Sequence, residues 1–360
     1  MKRIANSLVV LLVAMFSCDP SPPFKSGQLQ VIFQYSENYS SYSKNLIAGS
    51  DGYYLLLNES YLPFANTILK LDKSFNVLWK VSAEHTHFEK MLELPNGKLI
   101  ALAERALMAV ESDGASWSWV SSIGGEWIDA LVADTILYIY GVDENWRPFI
   151  SGYDFDLNLL WKHNTLYSRI LAYDGRSEIA GVSSMGDSLR TYSLDGNLLK
   201  QVAVKPALRT FVTDFQVDAM GNRYIYGISY MGECCCNDKI SLTKVSATGT
   251  VQWQRMLGTS GVNNVASKIL IDVGNVYISG GYGEKDSCIG EGHDGNPLDA
   301  YLGNFDLEGN MDRQYIRANM LYADVLGSII SDDGEIFVAG SSEAGPGEES
   351  TRATIFRVVN

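Results

Sequence analysis

Residues 217–258 read VDAMGNRYIYGISYMGECCCNDKISLTKVSATGTVQWQRMLG, and the rest of the chain holds nearer or more distant copies of this stretch. A glycine turn leads into a β-rich run, GNRYIYG at 221–227. A second run, ISLTKVS at 240–246, ends in the tight turn ATGT before VQWQRML at 251–257. The pattern is strand, turn, strand, long loop, strand, turn, strand. The copies are apolar at consecutive positions, as in VYI at 276–278 and LIALA at 99–103, which is how strands read when both sheet faces are covered. A unit of this kind cannot bury both faces alone and must be stacked on others.

Aligning on the second strand and its turn gives seven units: DGYYLLL at 51, NGKLIAL at 96, DTILYIYG at 134, DGRSEIAG at 174, GNRYIYG at 221, GNVYISG at 274 and DGEIFVAG at 333. Their spacing, from 38 to 59 residues, brackets that of propeller blades. A Trp recurs in the last strand at 79, 117, 161 and 253, with Lys200 and Arg313 in the same column. One Trp per repeat in a fixed register predicts packing between blades. The chain ends on ATIFRVVN (353–360), which matches a third strand, with Arg357 in the place of Lys70 and Lys244. The missing fourth strand is supplied by SGQLQVIFQYS at 26–36. The expectation is an all-β, seven-bladed propeller of four-stranded antiparallel blades, its ring closed by an N-terminal strand that completes the last blade and removes the open edges.

The same units resemble the bacterial β-propeller repeats called SBBP, which run D-x-x-G-N-x-Y-x-x-G, a loop, then K-x-x-x-x-G-x-x-x-W. Residues 218–258 follow that pattern well and residues 272–316 more loosely, and the first four units diverge from it. The resemblance implies an exported propeller and no particular activity.

Lys2 and Arg3 precede an apolar run from Leu8 to Phe16 that is too short to span a membrane and reads as a secretory h-region. Ser17–Cys18 at its end resembles the lipobox of bacterial lipoproteins, which implies lipidation of Cys18. Met15 and Phe16 depart from the usual residues, so ordinary cleavage that leaves Cys18 for a disulfide stays open. This divides the chain into a signal peptide (1–17), an anchor and linker (18–25) and one propeller domain (26–360). The expected location is the periplasmic side or outer surface of a bacterial membrane. With Cys18 spent on lipid, four of the 5 cysteines remain, and an exported context favours disulfides. Cys234, Cys235 and Cys236 lie in the loop that corresponds to the loop carrying Cys288 in the next unit, so Cys288 is expected to bond Cys236 or Cys234.

In 360 residues there are 33 Gly and 20 Tyr against 9 Pro, a composition suited to many short strands and turns. The net charge of −14 provides no basic footprint, which argues against nucleic acid or an anionic lipid surface as partner. The turns joining strands one to two and three to four are tight. The loops joining strands two to three, and those leading to the next unit, are long, and long loops on a rigid scaffold are where binding resides. On that face Tyr61, Trp127, Trp146 and Tyr230 are candidates for a ring-stacking rim. In the loop around Cys288, Asp286, His293 and Asp294 are candidate ligands for Ca²⁺, although a solvated acidic loop reads the same way. No cofactor is otherwise expected, and no nucleotide loop, G-x-S-x-G or H-E-x-x-H occurs. Vicinal cysteines also occur in quinoprotein dehydrogenases, another propeller family, but no polar set here suits a quinone. The functional expectation is an envelope-anchored monomer that binds protein or glycan through its long-loop face. The alternative is an exported enzyme, either a quinoprotein-like oxidoreductase or a metal-dependent hydrolase or lyase acting on extracellular polymer.

Overall fold

The computed structural model describes residues 25–35, 41–59, 65–84, 88–103, 106–120, 126–166, 170–173, 175, 178–208, 210–230, 238–258, 264–283, 298–317, 326–343 and 351–359. Within them each repeat is an antiparallel sheet, giving seven blades: blade 1 at 41–84, blade 2 at 88–120, blade 3 at 126–164, blade 4 at 170–203, blade 5 at 210–257, blade 6 at 264–317 and blade 7 at 328–359. Blade 7 holds only three strands from that end of the chain, and Gln28–Tyr35 pairs antiparallel with Thr351–Val359 as its fourth. The ring is thus closed by the N-terminal strand, as its sequence predicts. Lys25, read as the end of the linker, and Ser26, read as the start of the propeller, add a short parallel pair to Arg313 and Gln314 of blade 6.

The first strand of every blade touches the first strand of the next, from blade 1 round to blade 7 and back to blade 1, so these strands surround the axis. In blades 1, 2, 3, 5 and 6 this strand carries a bulge, at Ser43/Asn45, Phe88/Lys90, Trp127/Asp129, Val212/Asp214 and Ala266/Lys268. The bulge explains the glycine that ends the second-strand motif in blades 3, 5 and 6. A Cβ on Gly141, Gly227 or Gly280 would fall 2.4, 2.0 or 2.1 Å from a carbonyl oxygen of the bulged strand.

The turns between third and fourth strands are built alike in blades 1 to 6. The fourth turn residue donates its N–H to the first turn carbonyl: Phe75 to Asp72, Gly114 to Glu111, Leu157 to Asp154, Gly196 to Ser193, Gly249 to Ser246 and Gly309 to Asp306. All six have positive φ, 64° at Phe75 and 67° at Leu157 included. What occupies the space above this fourth residue decides how neighbouring blades meet. Trp79 of blade 1 lies on Gly114 of blade 2, Trp161 of blade 3 on Gly196 of blade 4, and Trp253 of blade 5 on Gly309 of blade 6. Each of these indoles tilts against a buried tyrosine of its own second strand, Tyr54, Tyr138 or Tyr224, with ring centroids 5.7 to 6.0 Å apart. In the Tyr54 and Tyr224 blades a lysine, Lys70 or Lys244, sits over the tyrosine ring as well. Tyr315 of blade 6 covers Gly27 at the closure.

Two junctions reverse the arrangement. Phe75 points its own ring back between blades 7 and 1, stacked on Tyr53 at 4.7 Å and edge-on to Phe337 at 5.3 Å. Leu157 packs into the core between blades 2 and 3 in the same way. Trp117, expected in the Trp column, lies outside it. Ser118 holds the register, opposite Ala109 and through it Ile100, while Trp117 pairs with Val110 and is 45% exposed.

Candidate functional site

On the long-loop face the described residues include one complete loop between second and third strands that carries an exposed aromatic. In residues 143–147 of blade 3, Asp143 Oδ1 accepts from the backbone N–H of Asn145 (2.8 Å) and Arg147 (2.9 Å), and Trp146 N–H donates to the Asp143 carbonyl at 2.9 Å. These bonds hold Trp146 at φ 59° with its side chain 75% exposed. The N–H of Arg147 beside Asp143 holds its carboxyl below the usual aspartate range, burial acting in the other direction. A rigid loop that offers an indole to solvent is chemically suited to stacking or to apolar contact with a partner.

Trp127 does not join it. The sequence reading put this residue in a connector loop, but it belongs to the strand Glu126–Ala133, is 2% exposed and packs among Leu94, Ile100, Ala130 and Phe149. Tyr61, the side chain of Tyr230, and Asp286, His293 and Asp294 lie outside the described residues, as does Cys18. Among the described residues no group of three or more His, Cys, Asp and Glu is placed to hold a metal ion.

The expectation of a disulfide and a lipid anchor is corrected. The described residues contain no disulfide bond, and Cys234, Cys236 and Cys288 are not among them. Among the described residues and in the comparisons there is no sign of a signal peptide or of lipid attachment, and residues 1–24 lie outside the described residues. Among the described residues no helix is long and apolar enough to cross a membrane.

The axis forms the second surface. A cavity of about 420 Å³ runs from mid-height of the inner strands toward the tight-turn face, lined by Asn45, Lys90, Asp214, Gln216, Lys268 and Ser328 together with apolar neighbours. Several of these occupy one register position, directly after the bulge. There Lys90 pairs with Asp129 at 2.6 Å, and Lys268 pairs with Asp214 at 3.7 Å. Each aspartate also caps the next blade, accepting from the N–H of Leu171 (2.7 Å) or Ile269 (3.0 Å). Gln216 and Ser328 add further bonds of this kind, to Ile269 and Ile271 and to the Leu46 carbonyl. The axial charges therefore tie blades together in balanced pairs. Asn45 Oδ1 is buried there with no hydrogen-bond partner. No sequence motif pointed to this ring, because its members N, K, D, D, K and S share a register and not a residue type.

Comparison with solved structures shows the fold. The WD40 domain of Pan2 from Neurospora crassa matches with a TM-score of 0.58 at 7% identity, covering 88% of each chain. A virginiamycin B lyase from Staphylococcus aureus matches with a TM-score of 0.64 at 8% identity, over 93% of this chain and 100% of the other. BamB from Moraxella catarrhalis gives 0.53 at 10% identity, over 92% and 100%. No protein-family model matches the chain. No curated protein matches it in sequence. The chain is a seven-bladed propeller with a fold similar to those of WD40- and BamB-type propellers, and the narrower resemblance to SBBP repeats is not carried by any family match.

Proposed function

We propose that this protein is a binding or scaffold module that takes a protein or glycan partner on its long-loop face. The observation that carries the reading is the division of labour between the two faces. The tight-turn face is a set of short turns closed by their own hydrogen bonds, while the opposite face presents the longer connections and the fixed, 75% exposed indole of Trp146. The fold is of a kind that serves as an interaction scaffold, and a closed ring holds such loops in fixed relative positions.

The test places a photo-crosslinking amino acid at position 146 or at position 273, where Val273 is 92% exposed in a tight turn of blade 6 on the other face. Irradiation in the native cells, followed by mass spectrometry, is expected to give discrete adducts from position 146 that are absent from position 273. A glycan array probed with the native chain and the Trp146→Ala variant reports the carbohydrate branch. Adducts only from position 273, or no adduct from 146 together with a silent array, overturn the proposal.

A further inference from the structure

The junction between blades 4 and 5 has neither a Trp over a turn glycine, as at three junctions, nor a bulky turn residue such as Phe75 or Leu157, as at two others. In blade 4 the Trp register is held by Lys200, paired with Thr191, and the tyrosine register by Ala180. The aromatic pair found in blades 1, 3 and 5 is therefore missing as a unit. The facing turn of blade 5 supplies no compensation, since its fourth residue is Gly249, at φ 92°, where blades 1 and 3 have Phe75 and Leu157. Val202 covers the glycine itself, with a γ-carbon 2.2 Å from where a Cβ would stand. Beside it a pocket of about 290 Å³ remains, lined by the replacing residues Ala180, Thr191 and Lys200 and by Met220 and Arg223 of blade 5.

The pocket keeps the polar fittings of an indole site. Elsewhere the second turn carbonyl accepts a side chain from the preceding blade. Trp79 Nε1 donates to Ser112 at 3.2 Å, Trp253 Nε1 to Leu307 at 3.1 Å and the Tyr138 hydroxyl to Leu194 at 2.6 Å. The matching carbonyl of blade 5 is Ala247, and its bond comes from Arg223 Nη1 of the same blade at 2.9 Å. A carbonyl oxygen has two lone pairs, so a second donor from the blade 4 side can be accepted. Arg223 is also fixed by a bond to Thr191 Oγ1 at 3.2 Å, which presents a planar cation on the pocket wall. Leu199 (56% exposed) and Met220 (75% exposed) form an apolar lip.

We infer that this pocket receives a tryptophan side chain from a partner polypeptide, seated beside the position that the chain's own Trp holds at three other junctions. The indole lies against Arg223 and donates its N–H to the Ala247 carbonyl. Lys200 and Arg223 against the single acid Glu178 make the mouth net positive in a chain of net charge −14, so carboxylates on either side of the inserted Trp suit it. Because the pocket opens on the tight-turn face, it is independent of the long-loop surface, and failure of one proposal leaves the other standing.

The probe is a capped peptide, Gly-Asp-Trp-Asp-Gly, with fluorotryptophan at its centre, followed by ¹⁹F line broadening on addition of the full chain. Expected is saturable broadening, competed by the unlabelled peptide and not by its Ala counterpart. Lys200→Trp places the chain's own ring in the pocket and is expected to weaken binding about tenfold or more while the melting temperature holds or rises. Arg223→Gln removes the planar cation and is expected to weaken it as well. Absence of saturable binding, undiminished binding to a folded Lys200→Trp variant, or binding of N-acetyltryptophanamide but not of the peptide overturns the inference.

Discussion

At the scale of single residues, the blade junctions obey a complementarity that no individual position reveals. At three junctions the last strand offers a Trp and the next blade's turn a glycine; at two others the strand offers none and the turn supplies Phe75 or Leu157 at the same positive φ. Holding a bulky residue there costs on the order of 1–3 kcal/mol of backbone strain. That cost is sustained because the side chain fills a core gap. The pairing is testable by exchange at the junction of blades 1 and 2. A Cβ on Gly114 would stand 2.5 Å from the Trp79 ring, so Gly114→Leu alone should lower stability by about 2–4 kcal/mol through overpacking and strain. Adding Trp79→Ser recreates the Ser118 and Leu157 combination of the next junction. The double variant should then be more stable than the sum of the single effects implies, by about 1 kcal/mol or more, measured by urea unfolding. Strict additivity would show that the two positions do not share one space.

At the scale of the element, the tight turns are stabilised by charge as much as by glycine. Asp72 and Asp154 each accept two backbone N–H bonds with Oδ1 and an Asn side-chain bond, from Asn76 or Asn158, with Oδ2. The Asn side chain first, and then the backbone N–H groups, hold both carboxyls below the ordinary aspartate range. At Asp306 burial pushes the other way, and the bonds from Asn310 still leave it lowered. A carboxyl lowered by folding contributes stability that is present above its unfolded pKa and is lost as pH falls through its folded value. The urea midpoint should therefore hold from neutrality to about pH 4 and decline below it. Asp154→Asn should lower the midpoint at pH 7 and flatten the acid decline, and an unchanged slope would exclude this turn as a contributor. The turns between first and second strands are what make the fold legible: glycine or aspartate punctuation followed by an apolar run locates all seven second strands. Registers within strands were less legible. Trp117 looks in phase by spacing, but pairing with Val110 turns it out of the column, and a one-residue slip changes the face of every side chain in a strand. Trp127 follows two glycines and reads as loop, yet the axial strand begins at Glu126 and buries it. The replacement at Lys200 was visible in the sequence. Its consequence was not, because it depends on Gly249 one blade away.

At the scale of the whole molecule, the ring depends on an exchange between its ends. Gln28–Tyr35 gives blade 7 its outer strand and sets Ile32, Phe33 and Tyr35 against the core shared by blades 7 and 1. Gly27 seats Tyr315, and Lys25–Ser26 pairs with blade 6, so one short segment touches both sides of the closure. Removing residues 25–36 would strip all of these contacts at once and leave Thr351–Val359 as an open edge able to pair with another molecule. The expected outcome is loss of a single cooperative melt and concentration-dependent aggregation. Deletion alone does not separate closure from loss of mere length, so the control is a circular permutant. A glycine-rich linker joins residue 359 to residue 28, and new ends are opened within residues 205–207, between blades 4 and 5, where the chain connects strands without itself being in a sheet. Every blade then keeps four strands, and the permutant should melt cooperatively near the native temperature while the deletion does not. A deletion variant that melts like the native chain would show that the strand is an attachment to a ring already closed by the inner strands. A permutant that fails while the deletion also fails would place the requirement in the order of the chain and not in the strand pairing.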